Sequence, residues 1–262
     1  MRIVMLISSG RRGGNTDGIS VLLEKELLML AQKSNTELIV DKYVLGHQEI
    51  KNCRGCRVCF DRGEKFCPLK DDLQLLWEQI KAADGIVLGS PVYVEDVNGI
   101  MKNWIDRMAF NCHRPGLAGK AAYVYTTSGA GSSNHSIHTM KTALATWGAF
   151  IAGSSRFRAG ALSKIDELKA EHGKKIGKAA AGLFDAIRNK RPLKPSLYSL
   201  LTFNVQQTSW RREDDKTTVD YRYWDDNGWL DKGCRYYFPN DVNPVKVLAA
   251  RLLGKAVALF FL

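Results

Sequence analysis

The sequence predicts an α/β fold: a doubly wound, five-stranded parallel sheet in the order 2-1-3-4-5, with helices on both faces and a C-terminal aromatic and helical extension. Three observations lead there. Short apolar runs alternate with stretches of helical periodicity over residues 1–191, three of those runs end in loops rich in Gly, Ser and Thr, and the rhythm breaks from about Pro192. The expected organisation is therefore one domain at 1–191 and an extension at 192–262 packing on the core or on a partner subunit.

The first strand is read at residues 2–7 and runs into Ser8-Ser9-Gly10-Arg11-Arg12-Gly13-Gly14-Asn15-Thr16. This loop has the chemistry of an anion trap. Its glycines let backbone N–H groups turn inward, hydroxyls and two arginines add donors, and the positive end of the next helix, with Thr16 as its expected cap, points at the same spot. It lacks the Lys-Ser/Thr of a nucleoside triphosphatase and the Gly-x-Gly-x-x-Gly of a dinucleotide fold, which favours a phosphate monoester.

The helix runs from Asp17 to about Lys33, with Ile19, Leu22, Leu23, Leu27 and Leu30 at helical spacing, and strand two covers 37–44. After a cysteine-rich segment, Asp71 and Asp72 open a helix that places Leu73, Leu76, Trp77 and Ile80 on one face. Strand three (85–89) runs into a loop at Ser90-Pro91-Val92-Tyr93-Val94, followed by a helix from about Val97 to Phe110. Strand four (121–126) runs into the loop Thr127 to Ser133, and a helix at about 136–147 follows. Strand five (150–157) and a basic helix (165–188) complete the unit. Aromatic residues from Trp210 to Phe238 read as core packing, and a docked helix follows Pro244.

Composition narrows the function classes. At 262 residues with 45% apolar and 25% charged residues the chain is of a soluble globular type. The N-terminus enters the first strand directly, leaving no room for a signal sequence, so a cytoplasmic location is expected. No membrane span is expected, because Lys246, Arg251 and Lys255 interrupt the most apolar stretch. Of the net charge of +11, much sits at 154–194, where eleven Lys/Arg face four Asp/Glu. Nucleic acid is not an expected partner, since the excess lies on one helix without a reader motif or a stacking platform.

One phosphate loop and two hydroxyl- and glycine-rich loops at the same sheet edge suit a flat heterocycle with a phosphate tail, the shape of FMN. The residues that carry this, Ser9-x-Arg11-x-x-Gly14-Asn15-Thr16, Gly89-Ser90-Pro91-Val92-Tyr93, Lys102-x-x-x-Asp106-Arg107 and Thr127-Ser128-Gly129-x-Gly131, resemble the flavodoxin-like NAD(P)H-dependent flavin reductase superfamily over about residues 1–160. The resemblance implies that Ser9, Arg11, Gly14, Asn15 and Thr16 hold the FMN phosphate. It also implies that Pro91, Val92 and Tyr93 line the ring and that Thr127, Ser128 and Gly129 bound its far edge. Asp106 and Arg107 are read as a helical ion pair and Lys102 as a solvated side chain.

Cys53-x-x-Cys56-x-x-Cys59, then Cys67, supplies four thiols in a reducing compartment, which favours a metal or redox site over a disulfide framework. Within the superfamily this spacing resembles the iron-sulfur flavoproteins, which implies Cys53, Cys56, Cys59 and Cys67 as ligands of a [4Fe-4S] cluster. Empty thiols, zinc and disulfides remain open at this point. Cys112 and Cys234 read as packed thiols, and His135 and His138 as capping or packing residues beside the third loop.

The resulting expectation is an FMN-dependent oxidoreductase that takes electrons from NAD(P)H; hydride chemistry belongs to such a cofactor, so no catalytic residue of the protein is assigned. The rival is an iron-sulfur flavoprotein electron carrier exchanging with ferredoxin or another acidic redox protein. A homodimer or tetramer is implied by the resemblance and by an apolar tail with Val245, Leu248, Leu252, Leu259 and Phe260.

Overall fold

The computed structural model describes residues 1–131, 133–189 and 194–261, Phe261 by its backbone only. The expected domain boundary at 191/192, Pro192 included, and Ser132 of the third loop lie outside them. The elements, in order, are β1 (Arg2–Ile7), α1 (Asn15–Lys33), β2 (Ile39–Val44), α2 (Val58–Asp61), α3 (Leu73–Ala82), β3 (Gly85–Tyr93), β4 (Asp96–Val97) and α4 (Gly99–Arg107). There follow β5 (Ala121–Ser128), α5 (Asn134–Thr146), β6 (Phe150–Arg158), α6 (Ile165–Arg188), α7 (Leu197–Arg212), α8 (Val219–Asp226) and α9 (Pro244–Phe261).

Five strands pair in parallel in the order β2-β1-β3-β5-β6, the expected 2-1-3-4-5. The interior strand β1 is buried on both faces, which is why Ile3 to Ile7 form a continuous apolar run. Its side chains alternate between two cores. Val4 and Leu6 join Trp77, Trp104 and Trp147 under α3, α4 and α5, whereas Ile3, Met5 and Ile7 join Leu23, Tyr125 and Phe184 under α1 and α6. This period of two assigns each helix to a face.

The segment expected as a loop after strand three is a continuation of that strand. β3 extends through Pro91 to Tyr93 and turns back into β4, with Val92 opposite Val97 and Tyr93 opposite Asp96. The turn holds Val94 at φ 49° and Glu95 at φ 64°, left-handed conformations that a β-branched residue adopts only under constraint. Pro91 is accommodated near the strand's end, where a lost N–H costs least.

The extension has an apolar core of its own. Leu200, Phe203, Trp224, Trp229, Tyr236 and Tyr237 are buried together, and Ala118 and Phe238 pack against them. The expected core role of the C-terminal aromatics is thus what the structure displays. α9 buries Val247, Ala250 and Ala258 but leaves Leu248, Leu252, Leu259 and Phe260 exposed. No described helix is long and apolar enough to cross a membrane.

Gly46, in the tight turn after β2, allows that turn to lie on the first loop: a Cβ there would stand 2.5 Å from the Ser9 carbonyl oxygen and 3.0 Å from Gly10 Cα. Backbone cannot swing aside as a side chain can. Gly46→Ala should therefore cost about 1–3 kcal/mol, the usual range for overpacking. A lowered urea midpoint with unchanged slope is the expected result, and an unchanged midpoint would mean that the turn can retreat.

Candidate cofactor cleft and cysteine pocket

The loop after β1, the end of β3 where it turns back into β4, and the end of β5 with its following loop meet at the carboxyl edge of the sheet, where doubly wound sheets bind ligands. There Ser9, Arg11, Gly14, Asn15, Thr16, Pro91, Val92, Tyr93, Thr127, Ser128 and Gly129 line one cleft of about 220 Å³, joined by Ala159, Ala161 and Leu162 from the segment after β6. All eleven residues expected to bind the cofactor are thus brought together. The contribution from beyond β6 carries no sequence signal, since only the sheet order brings it there.

Thr16 does not cap α1. The N-cap is Gly14, in extended conformation, and no side chain caps the helix. Thr16 instead sits inside the first turn, where its buried hydroxyl meets Thr127 Oγ1 at 2.7 Å and ties the first loop to the loop after β5. The buried Tyr125 hydroxyl donates to the Thr16 carbonyl at 2.8 Å, and burial pushes that phenol well above its ordinary pKa. With no cap, the first turn's N–H groups face the cleft as a partial positive charge. Ser9 shapes the loop, its Oγ donating to the Arg11 carbonyl at 2.8 Å and accepting from the Arg11 N–H at 3.1 Å. Asn15 Nδ2 donates to the Gly160 carbonyl at 2.7 Å, while its Oδ1 is buried with no partner. An orphaned acceptor of this kind is one that a ligand hydroxyl satisfies.

Asn98 was missed in the sequence and joins two of these loops. It caps α4, accepting from the Met101 N–H at 3.1 Å, while its Nδ2 donates to the Ser8 carbonyl and its own N–H approaches Ser90 Oγ at 3.4 Å. An Asn just before a helical run is a cap signal that could have flagged it. His135 and His138 lie on the exposed side of α5 and do not line the cleft.

The four cysteines line a second cavity, of about 270 Å³, with Leu73, Trp77, Arg107 and Phe110 among its walls. Cys53 and Cys56 are exposed, Cys59 and Cys67 half-buried, and all four are free thiols. Burial, then the neighbouring Cys67 and Cys53, push the Cys59 thiol above its ordinary pKa. Among the described residues no three Cys, His, Asp or Glu side chains stand close enough to hold a metal ion, so these four share a pocket without a ligating geometry. As a donor set, four thiols lining one cavity, two of them exposed, match in number a cluster that takes one thiolate per iron.

Arg107 corrects the expected helical pair. Asp106 pairs with Lys102 instead, at 2.6 Å across one helical turn, whereas Arg107 turns inward. Its Nη1 donates to Asp71 Oδ2 at 2.5 Å and to the Lys51 carbonyl at 2.7 Å, and its Nη2 reaches Cys67 Sγ at 3.9 Å. Side-chain exposures of 3% for Arg107 and 1% for Asp71 make this a buried ion pair. Burial alone would raise the Asp71 carboxyl, but Arg107 and the Lys51 and Leu73 N–H groups outweigh it and hold the pKa below the ordinary value. Both ends of the cysteine segment are thereby fixed to α4.

A family model described as NADPH-dependent FMN reductase matches residues 1–161. An iron-sulfur flavoprotein of Archaeoglobus fulgidus is 28% identical over 231 residues, covering 88% of this chain and 100% of that protein. An iron-sulfur flavoprotein of Clostridioides difficile is 24% identical over 207 residues, covering 78% of this chain and 88% of that one. Among solved structures, an FMN-dependent NADH-azoreductase of Bacillus anthracis in complex with FMN superimposes with a TM-score of 0.51 at 14% identity, covering 70% of this chain and all of that one. That likeness concerns the fold.

Arg107→Met should leave Asp71 buried without its counter-charge, an arrangement that costs about 3–5 kcal/mol. Denaturant melts at pH 7 test this. Because the folded-state pKa of Asp71 is lowered, its stabilisation is present above the unfolded carboxylate range and is lost as pH falls through the folded value. Asp71→Asn should therefore flatten the acid limb of a stability-against-pH curve, and an unchanged limb would count against the pair.

Proposed function

This chain belongs to the NADPH-dependent FMN reductase family, and we propose that it is an FMN-dependent oxidoreductase passing electrons from NAD(P)H to an acceptor. The observation that carries the reading is the convergence of three loops on one cleft at the uncapped N-terminus of α1. When bound, FMN supplies hydride acceptance and the release of electrons singly or in pairs. The chain's part is to hold and orient. In this reading Arg11 and the first N–H groups of α1 bind the phosphate, and Asn15 Oδ1 accepts from a ribityl hydroxyl. The Pro91 to Tyr93 and Thr127 to Gly129 segments wall the ring, with Thr16 and Thr127 locking the two sides together.

A second reading is favoured by the cysteine pocket and by relatives named iron-sulfur flavoproteins. In it Cys53, Cys56, Cys59 and Cys67 hold a [4Fe-4S] cluster, and the protein exchanges electrons with ferredoxin or another acidic redox protein, the positive excess of the 154–194 stretch offering charge complementarity. Steady-state oxidation of NADH or NADPH by the purified protein separates the two: rapid turnover supports the reductase, and its absence in a brown, iron-containing protein supports the carrier. The exposed apolar residues of α9 support a homo-oligomer, and a cytoplasmic location belongs to the same reading.

Three measurements test these assignments. Arg11→Ala should weaken FMN binding by roughly 1.5–3 kcal/mol, the worth of one charge-assisted hydrogen bond. Unchanged affinity in a flavin titration removes Arg11 from the site. Cys56→Ser should lose most of the iron and acid-labile sulfide of an anaerobic preparation while keeping FMN, since the cleft uses other loops. Near-zero iron in the reconstituted parent protein rejects the cluster. Light scattering at micromolar concentration should give a dimer or tetramer, and a monomer leaves α9 as a surface of the single chain.

A further inference from the structure

Arg114 lies just beyond the short helical turn at 109–112, with its side chain 7% exposed. Its Nη2 donates to the Cys59 carbonyl at 2.6 Å and to Glu64 Oε2 at 3.0 Å, and its Nη1 donates to Asp220 Oδ1. The other carboxylate oxygen of Asp220 stands 2.7 Å from His113 Nδ1, and the His113 ring meets the Phe60 ring edge-on at 4.7 Å. Trp224 Nε1 donates to the His113 carbonyl at 2.7 Å. Asp220 and Trp224 both belong to α8, while Cys59, Phe60 and Glu64 belong to the cysteine segment. Two arms of one helix thus reach the segment through His113 and Arg114.

A buried guanidinium goes where its counter-charges are. Of its two carboxylates, Glu64 belongs to the cysteine segment and is 30% exposed, whereas Asp220 is 8% exposed on a helix anchored in the extension's aromatic core. Asp220 therefore sets the place of the guanidinium, and the guanidinium sets the place of the Cys59 carbonyl. The segment has little to hold it otherwise. α2 has four residues and starts from Arg57 at φ 62°, with Gly55 at φ 64° and Gly63 at φ 104° on either side. So short a helix does not persist by local hydrogen bonding alone. Arg107 with Asp71 ties the two ends of the segment, at Lys51 and Cys67, and Arg114 with Asp220 holds its middle at Cys59.

We propose that the C-terminal extension is a clamp on the cysteine pocket, with Asp220 acting through Arg114 as a positioning residue that fixes the Cys59 backbone and hence the spacing of the thiols. As a statement about cluster binding it rests on the second reading above; as a statement about backbone order it stands without it. A donor set held in place before its guest arrives loses less conformational entropy on binding, which slows release.

The test is hydrogen exchange by mass spectrometry on the full-length protein, before and after reconstitution with iron and sulfide. The wild type is compared with Asp220→Ala, Asp220→Asn and Asp220→Glu. The amides of Phe60, Asp61, Arg62, Phe66 and Cys67 donate to carbonyls within the segment and report its order. In Asp220→Ala their exchange should rise by about tenfold or more, as expected when a buried pair is broken locally, with β1, α1 and β5 unchanged. Iron should leave the reconstituted variant for a chelator several-fold faster, with Asp220→Glu restoring slow release. If the alanine variant does not fold, Asp220→Asn, which keeps the shape and removes the charge, is read on the same peptides. Equal exchange in wild type and variant, or a uniform rise over the whole chain, overturns the clamp. A wild type that takes up no iron overturns the cluster reading alone, and exchange across 53–67 still decides the clamp.

Discussion

The structure depends on the burial of β1 on both faces. A strand that is dry on both sides has no room for polar side chains along its length, so polar residues appear only at its ends, Arg2 at the amino end and Ser8 and Ser9 beyond the carboxyl end. The parallel neighbours β3 and β5 emerge at the same edge. Three loops therefore meet around one helix N-terminus, and the cleft is a consequence of how the sheet is covered.

Within that edge, side chains lock the loops to one another. Thr16 against Thr127, Asn15 against Gly160 and Asn98 against Ser8 each join segments distant in sequence, and the first and last satisfy polar groups that would otherwise be buried without a partner. Left over are the N–H groups at the start of α1 and the Asn15 oxygen. Unsatisfied groups gathered in one cleft are where a polar ligand gains most, because the cost of their desolvation has already been met in folding.

The cysteine segment is organised differently. Its backbone makes few long-range bonds of its own and is held by two buried arginines, one from α4 and one from just before β5, each neutralised by a carboxylate from elsewhere in the chain. Such pairs add little net stability, since desolvation offsets most of the attraction, but they are directional and intolerant of misplacement. They locate a loop better than they strengthen a fold. The Arg114 pair also ties the aromatic extension to the cysteine segment, beside the packing of Ala118 on the extension's core.

The five parallel strands and the long helix at 165–188 were legible in the sequence because apolar periodicity is a local signal, and the eleven cleft residues because their motifs resemble those of a known family. Spacing alone likewise grouped the four cysteines that now share a pocket. What the sequence misread was decided by contacts at a distance. Arg107 reads as the partner of its neighbour Asp106, and only the packing of α4 on the cysteine segment offers it Asp71. Thr16 reads as a cap until β5 brings Thr127 to it, and the Pro91 to Tyr93 loop becomes a strand because β4 folds back on it. Asp220 carries no local signal at all. A buried charge is specified by the partner it meets, and which residues meet is a property of the tertiary structure.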